Sequence, residues 1–194
     1  MSTEAGLTQP QGRQLTQLAR AAIAQALAAP TLTCDLIDRQ ADWLQQPAAT
    51  FVTLTQQGRL RGCIGSLVAR RTLLIDVQAN AVAAALQDSR FAPLTPAELG
   101  ATQVEVSVLS AQQPMLFDSQ AQALALLQPG VDGVVLACGR FRSTFLPQVW
   151  EQLPSPAVFL AHLKQKAGLP ADFWSPELRL SRYTVAKFKE AQHP

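Results

Sequence analysis

Leu15, Leu18, Ala22, Ile23, Ala26 and Leu27 recur at helical spacing with Gln14, Gln17, Arg20 and Gln25 between them, which predicts an amphipathic helix from about 13 to 28 that Pro30 stops. An irregular stretch with Trp43 and Pro47 follows. The period then changes: Thr50 to Thr55 is β-branched and aromatic, Gly58 marks a turn, and Leu60 to Ile64 reads as the returning strand of a hairpin. Leu73, Leu74, Val77, Ala81, Ala84 and Ala85 restore helical register from 72 to 86, with Thr72 as N-cap and Asp88-Ser89-Arg90-Phe91 as the end. Thr95-Pro96-Ala97-Glu98 carries the capping-box signature of a second, brief helix.

The clearest alternation in the chain is Val104, Val106 and Val108 against Gln103, Glu105 and Ser107, a half-buried strand whose polar face is solvated or lines a cleft. Ala121 to Leu127 is helical. Gly130 and Gly133 punctuate a turn, Val134 to Ala137 and Phe141 to Leu146 form a further hairpin closed by Pro147, and a helix from Ser155 runs to Gly168 and Pro170. Leu178 to Phe188 reads as one last strand. Hairpins mixed with helices, without regular βαβ alternation, predict an α+β fold of antiparallel sheet covered by helices. The chain shows no internal repeat and no low-complexity segment.

Composition narrows the class. With 194 residues, 48% of them apolar, the chain has material for a real core, and its formal charge of +2 leaves no strong electrostatic footprint for nucleic acid. Arg70, Arg71, Lys164, Lys166, Arg179, Arg182, Lys187 and Lys189 would make a basic surface only if folding gathered them; solvated charge is the better reading, so RNA contact ranks last among the functions considered. No apolar run approaches the roughly 20 residues of a spanning helix, and the start at Met1 lacks the basic and apolar regions of a signal peptide. Cys34, Cys63 and Cys138 form neither a disulfide framework nor a Cys-x-x-Cys pair, which points to a reducing cytoplasm and no structural metal. Phosphate-loop and dinucleotide motifs are absent, so no cofactor is expected.

Cys63 stands out because Gly62 and Gly65 frame it, Arg61 lies two positions before it and Arg59 is close by. Glycines let backbone approach a ligand, and a neighbouring guanidinium favours thiolate over thiol. Against this stands the commoner fate of a free cysteine, a small buried hydrophobe with glycines that serve only a bulge.

A resemblance now enters. Gly58 to Gly65, containing Leu60-Arg61-Gly62-Cys63-Ile64-Gly65, looks like the hallmark of the AMMECR domain, the family also described as protein A of the AmmeMemoRadiSam system. Further pieces match in order: Asn80-Ala81 with Ala84-Ala85, Asp88 to Leu94, Glu98-Leu99, Val106 to Leu109, Gly130 to Gly133, Thr144 to Trp150 and Lys166 to Leu169. The resemblance covers almost the whole chain. It implies a single intracellular α+β domain of two unequal lobes, without fixing the lobe boundaries, and an activity not established for the family. It also implies a pathway or complex shared with a Memo-like protein and a radical SAM protein.

The candidate site is therefore Cys63, Arg61, Asp88 and Arg90, with Gly62, Ile64 and Gly65 as backbone at the ligand. A cysteine nucleophile also wants a base. His193 sits in the tail, and His162 on the polar side of its helix reads as exposed surface. Asp88 and Arg90 read from spacing as a local pair at a helix end, and only the resemblance moves them toward the cleft of Cys63. Asp132 is a turn residue, Thr144 a strand threonine, and Trp43, Trp150 and Trp174 pack in or over the core. Two functions follow: a Cys63-centred cleft that binds or transforms an unknown small molecule, or a non-catalytic scaffold that docks the two partners through Leu60 to Gly65.

Overall fold

In the computed structural model of the chain, which describes residues 6–30 and 37–190, Thr8 opens the first helix, α1 (Gln9–Ala26). Cys34 and His193 lie outside the described residues. The helix starts four residues ahead of the expected 13 because Thr8 and Gln11 cap each other: the Gln11 side chain accepts from the Thr8 amide at 2.8 Å, and the Thr8 hydroxyl accepts from the Gln11 amide at 3.4 Å. After the short α2 (Asp42–Gln45), β1 (Pro47–Gln56) turns through Gln57 and Gly58, both at positive φ, into β2 (Arg59–Gly65). That two-residue turn is the kind whose twist suits a hairpin. A two-residue strand, β3 (Arg71–Thr72), pairs with Pro47 and Ala48 and leads into α3 (Leu73–Leu86), which Thr72 caps as expected.

The Thr95–Glu98 capping box is present, but the turn it starts, Pro96–Ala101, is a 3₁₀ helix rather than an α-helix. β4 (Thr102–Leu109) then pairs antiparallel with β1. These elements belong to the larger of two compact units, Met1–Leu109 with Ala186–Pro194; the smaller is Ser110–Val185. Helices with antiparallel sheets and two unequal units match the expected class.

The smaller unit holds β5 (Gln113–Pro114), α4 (Gln120–Leu126), β6 (Gly133–Cys138), β7 (Phe141–Phe145), a 3₁₀ turn at Pro147–Glu151, α5 (Pro156–Lys166) and β8 (Arg179–Tyr183). Its sheet runs β5-β8-β6-β7. Asp132 is the turn residue the sequence predicts, and its buried carbonyl accepts the Trp150 indole N–H at 2.7 Å. The Trp150 ring stacks on Phe159 at 3.7 Å, so the Gly130–Gly133 and Thr144–Trp150 motifs meet in one structural anchor. Thr144 sits on β7 with its hydroxyl 3.2 Å from that of Tyr183, whose own ionisation burial pushes upward. Lys164 corrects the expectation of solvated charge. It is 1% exposed, its Nζ lies 3.4 Å from Gln120 Oε1 and 5.6 Å from the Trp174 ring centre, and burial lowers its pKa against the pull of Asp172.

The expected single strand from 178 to 188 is two strands. β8 ends at Tyr183, and β9 (Val185–Lys189) belongs to the other sheet, where the order is β2-β1-β4-β9 with β3 on β1. The period-2 phase of buried positions slips between Leu180 and Tyr183, but it is the change of partners that shows two strands. Thr184 marks it: its carbonyl accepts from Ser110 N at 2.9 Å and its amide donates to Ser110 Oγ at 3.0 Å.

In the larger unit α1 and α3 cover one face of the sheet, and Leu15, Leu18, Ile23, Val52, Leu54, Val77, Val104 and Val106 fill the space between. α1 lies close on β9. A β-carbon at Gly12 would overlap the Phe188 ring, which explains a glycine inside this helix despite its helix-weakening backbone.

Candidate functional site

Alternation along β2 decides what each hallmark residue does. Gly62 and Ile64 face the helices: Ile64 packs against the core, and a β-carbon on Gly62 would stand 2.2 Å from the carbonyl oxygen of Ala84 in α3. Gly62 is thus the point where helix backbone rests on strand backbone, and Ala81, Ala84 and Ala85 are small for the same contact. Cys63 and Gly65 point to the opposite face. There the Phe51 ring lies over Gly65, filling the place of its missing side chain, while Cys63 is partly exposed. Leu60 is exposed beside the turn.

A bulge fixes the neighbour of the thiol. Counting back from the turn, Gln56 pairs with Arg59 and Thr55 with Leu60, but Leu54 pairs with Gly62, so Arg61 is the extra residue and Thr53 comes opposite Cys63. The amide and carbonyl of Cys63 point outward, away from β1, and at such a non-hydrogen-bonded position facing side chains come closest. Accordingly Cys63 Sγ and Thr53 Oγ1 stand 3.3 Å apart, with either able to donate. Thr53 in turn faces Glu105 across β4, and Glu105 is ion-paired with Lys189 at 3.4 Å.

Strand β2 lies at the edge of its sheet, so the outward N–H and C=O of Cys63 need partners. Asp88 and Arg90 supply them. Asp88 Oδ2 accepts from Cys63 N at 2.8 Å, Arg90 Nη2 donates to Cys63 O at 3.2 Å, and the two side chains pair in fork geometry at 2.7 and 2.9 Å. Together they replace a missing strand neighbour. The Arg90 guanidinium and the Cys63 amide hold Asp88 well below the usual carboxylate range against the opposing effect of burial. The ionisation of Arg90 is raised chiefly by Asp88, against the opposing effect of burial, and its Nη2 on the Cys63 carbonyl makes Arg90 the cation beside the thiol-bearing residue.

Arg61 is placed differently from its expected role. Its guanidinium binds Glu98 at 3.0 and 3.3 Å and the carbonyls of Ala92 and Pro93 at 2.8 and 3.4 Å, locking the turn after α3 onto the bulge. The Arg61 guanidinium, then the Thr95 amide and hydroxyl, lower Glu98 from 4.5 to about 2. A carboxyl lowered on folding stabilises the protein above its unfolded value and loses that contribution as pH falls through the folded one. Glu98 and Asp88 both act in this direction. The urea midpoint of unfolding is therefore expected to hold steady above about pH 5 and to fall between roughly pH 4.5 and 2, and Glu98→Gln to flatten part of that fall. An unchanged pH profile in the variant would contradict this assignment.

The family resemblance, not the spacing, put Cys63, Asp88 and Arg90 in one cleft, and the structure joins them through the backbone of Cys63. His162 is exposed on α5, and the described residues of the larger unit contain no histidine. Thr53 and Glu105 were missed because an alternating strand names a face without naming what stands opposite. Also missed was a polar group behind β1, the buried Asp76, Asn80 and Thr50 with the half-buried Ser66. Its signal was legible, since Asp76 and Asn80 stand one turn apart on the apolar face of α3 with Leu73, Val77 and Ala84.

Comparison with known proteins places this geometry in a wider group. The AMMECR1 family model matches residues 16–188. A protein of Methanothermobacter thermautotrophicus is 38% identical over 188 residues, 96% of this chain and 97% of its own length, and one of Thermotoga maritima is 36% identical over 144 residues, 73% and 78% of the two chains. The crystal structure of an uncharacterized protein from Pyrococcus horikoshii is similar with a TM-score of 0.77 at 28% identity, covering 95% of this chain and 93% of that one.

Proposed function

This chain belongs to the AMMECR1 family, and we propose that its working group is the partly exposed Cys63 thiol, presented on the face of the sheet opposite α1 and α3 to bind or transform a small molecule. The observation that carries this reading is the fixed placement of Cys63: both backbone polar groups are clamped by Asp88 and Arg90, and the sulfur meets the Thr53 hydroxyl at 3.3 Å. A reactive group held by supports that are themselves held is the arrangement a binding or catalytic constellation needs. Thr53 supplies a hydrogen bond to the sulfur, Arg90 the neighbouring positive charge, and Asp88 positions Arg90 and the Cys63 backbone. In this reading the protein works in a reducing cytoplasm, in a pathway shared with a Memo-like and a radical SAM protein.

The test is timed alkylation with iodoacetamide, read by peptide mass spectrometry. Cys63 is expected to label well before the buried Cys138, and Thr53→Val to slow the reaction about fivefold, the worth of one hydrogen bond of about 1 kcal/mol. Labelling of Cys63 at the rate of Cys138, or a rate indifferent to Thr53→Val and Arg90→Gln, would sink the proposal.

A second reading, a scaffold docking the same partners through Leu60 to Gly65, is favoured by the exposure of Leu60. A further variant, Cys63→Ser, separates the two. Under docking, Cys63→Ser keeps the complex; under thiol chemistry it removes the function while leaving the fold intact.

A further inference from the structure

The carboxylate of Asp76 is 1% exposed, and a buried charge is tolerated only when paired and hydrogen-bonded. It accepts from Thr50 N at 2.9 Å and Thr50 Oγ1 at 2.8 Å, from Ser66 Oγ and Asn80 Nδ2 at 2.9 Å, and pairs with Arg71 at 2.8 Å. Asn80 also donates to the Thr50 carbonyl at 3.0 Å. These bonds tie β1, the residue after β2 and the first turn of α3 to one point. The loop from Ser66 to Arg71 is thereby held at both ends, with Ser66 N on the Thr50 carbonyl at 2.8 Å and Arg71 in register with Ala48.

What this loop, anchored at its ends, presents is apolar. Leu67 is 41% exposed and Val68 43%; Ile75, 52% exposed, precedes Asp76 just as Ser66 precedes Leu67, and the Ser66–Asp76 hydrogen bond brings the two segments together. Single exposed apolar side chains are ordinary on a protein surface, but a group of them on a fixed loop marks an interaction site. The charge around them is of one sign. From residue 57 to 75 the sequence has four arginines and no acidic residue. Arg61 and Arg71 are neutralised by Glu98 and Asp76, whereas Arg70 in the loop and Arg59, back at the hairpin turn, are exposed and make no ion pair among the described residues.

We propose that the Ser66–Arg71 loop, with Ile75, docks a protein partner whose contact surface is aliphatic and rimmed by carboxylates. A second copy of this chain fits poorly, because a two-fold contact would set arginine against arginine with no acid in the segment to answer it. A membrane fits poorly too, since adsorption draws on several basic residues near the surface and the loop offers one free cation. A preformed loop instead spares a shape-matched protein partner the ordering entropy of binding. The proposal stands independently of the thiol reading.

The experiment is a random-peptide display selection on the full chain, with winning peptides measured by fluorescence polarisation. Peptides joining aliphatic residues to Asp or Glu are expected to win. Their affinity is expected to fall about tenfold or more on Leu67→Asp/Val68→Asp, the loss typical of a central contact, and less on Arg70→Glu. Leu67→Ala/Val68→Ala serves if the aspartates perturb folding, and the rate of Cys63 alkylation should not change in either. Failure of acidic–aliphatic peptides to win, or equal binding by all variants, would overturn the proposal. So would dimerisation in light scattering, or flotation with phosphatidylserine vesicles, that the double variant abolishes.

Discussion

Asp76→Ala is expected to destabilise the larger unit by about 3–5 kcal/mol, the usual consequence of removing one member of a buried charged network. The size follows from what is left behind. The amide and hydroxyl of Thr50, which is fully buried, lose their acceptor, and Asn80 and Ser66 lose one each. Each stranded buried donor costs about 1–3 kcal/mol, only part of which a water entering the smaller side chain's space can offset. Arg71 meanwhile loses its counter-ion but keeps access to water, so it adds little. Asp76→Asn should recover only a fraction, because one acceptor oxygen becomes a donor facing other donors. Chemical denaturation measures the loss, and amide exchange should place it in β1 and the start of α3. A variant within about 1 kcal/mol of the parent would mean that water replaces the carboxylate fully, and the loop after β2 would no longer count as rigidly held.

This network shows which information the sequence carried. Periodicity located nearly every long element, because a helix against a sheet needs an apolar stripe and a half-buried strand needs alternation, both written locally in residues such as Leu73, Val77 and Ala81 or Val104, Val106 and Val108. Illegible were features set by distant partners. The bulge at Arg61 moves Thr53 from opposite Gly62 to opposite Cys63, a shift of one residue that no pattern in either strand announces. The break at Thr184 is likewise set by partners: both segments read as strand, and β8 and β9 join different sheets. Of the candidate site, Cys63 between its glycines was legible in the sequence, Asp88 and Arg90 joined it only through the resemblance, and the wiring was illegible. Arg61, adjacent in sequence to the Gly62-Cys63 pair, is engaged by Glu98, while Arg90, 27 residues beyond Cys63, binds its carbonyl.

The hallmark glycines yield the second large effect. Gly62→Ala adds a single methyl group, yet its β-carbon would lie 2.2 Å from the Ala84 carbonyl oxygen and 3.1 Å from its carbon. Backbone cannot rotate aside as a side chain can, so α3 must lift from β2 or the strand must bow outward. Overpacking of this kind typically costs 1–3 kcal/mol, and the helix contact puts the expected loss at about 3. The same shift would pull Asp88, just past the end of α3, away from Cys63 N, so alkylation of Cys63 should change together with stability. Gly58→Ala provides the contrast. It meets no neighbour and suffers only the strain of a positive φ at the turn, about 1 kcal/mol, with the thiol site unaltered. Thermal melting and iodoacetamide labelling of both variants decide the matter. If Gly62→Ala melts like the parent, the glycine does not serve close packing, and direct backbone contact with a ligand becomes the better account of it. If it melts early while Cys63→Ser does not, then within this hallmark the glycine belongs to the fold and the cysteine to the function.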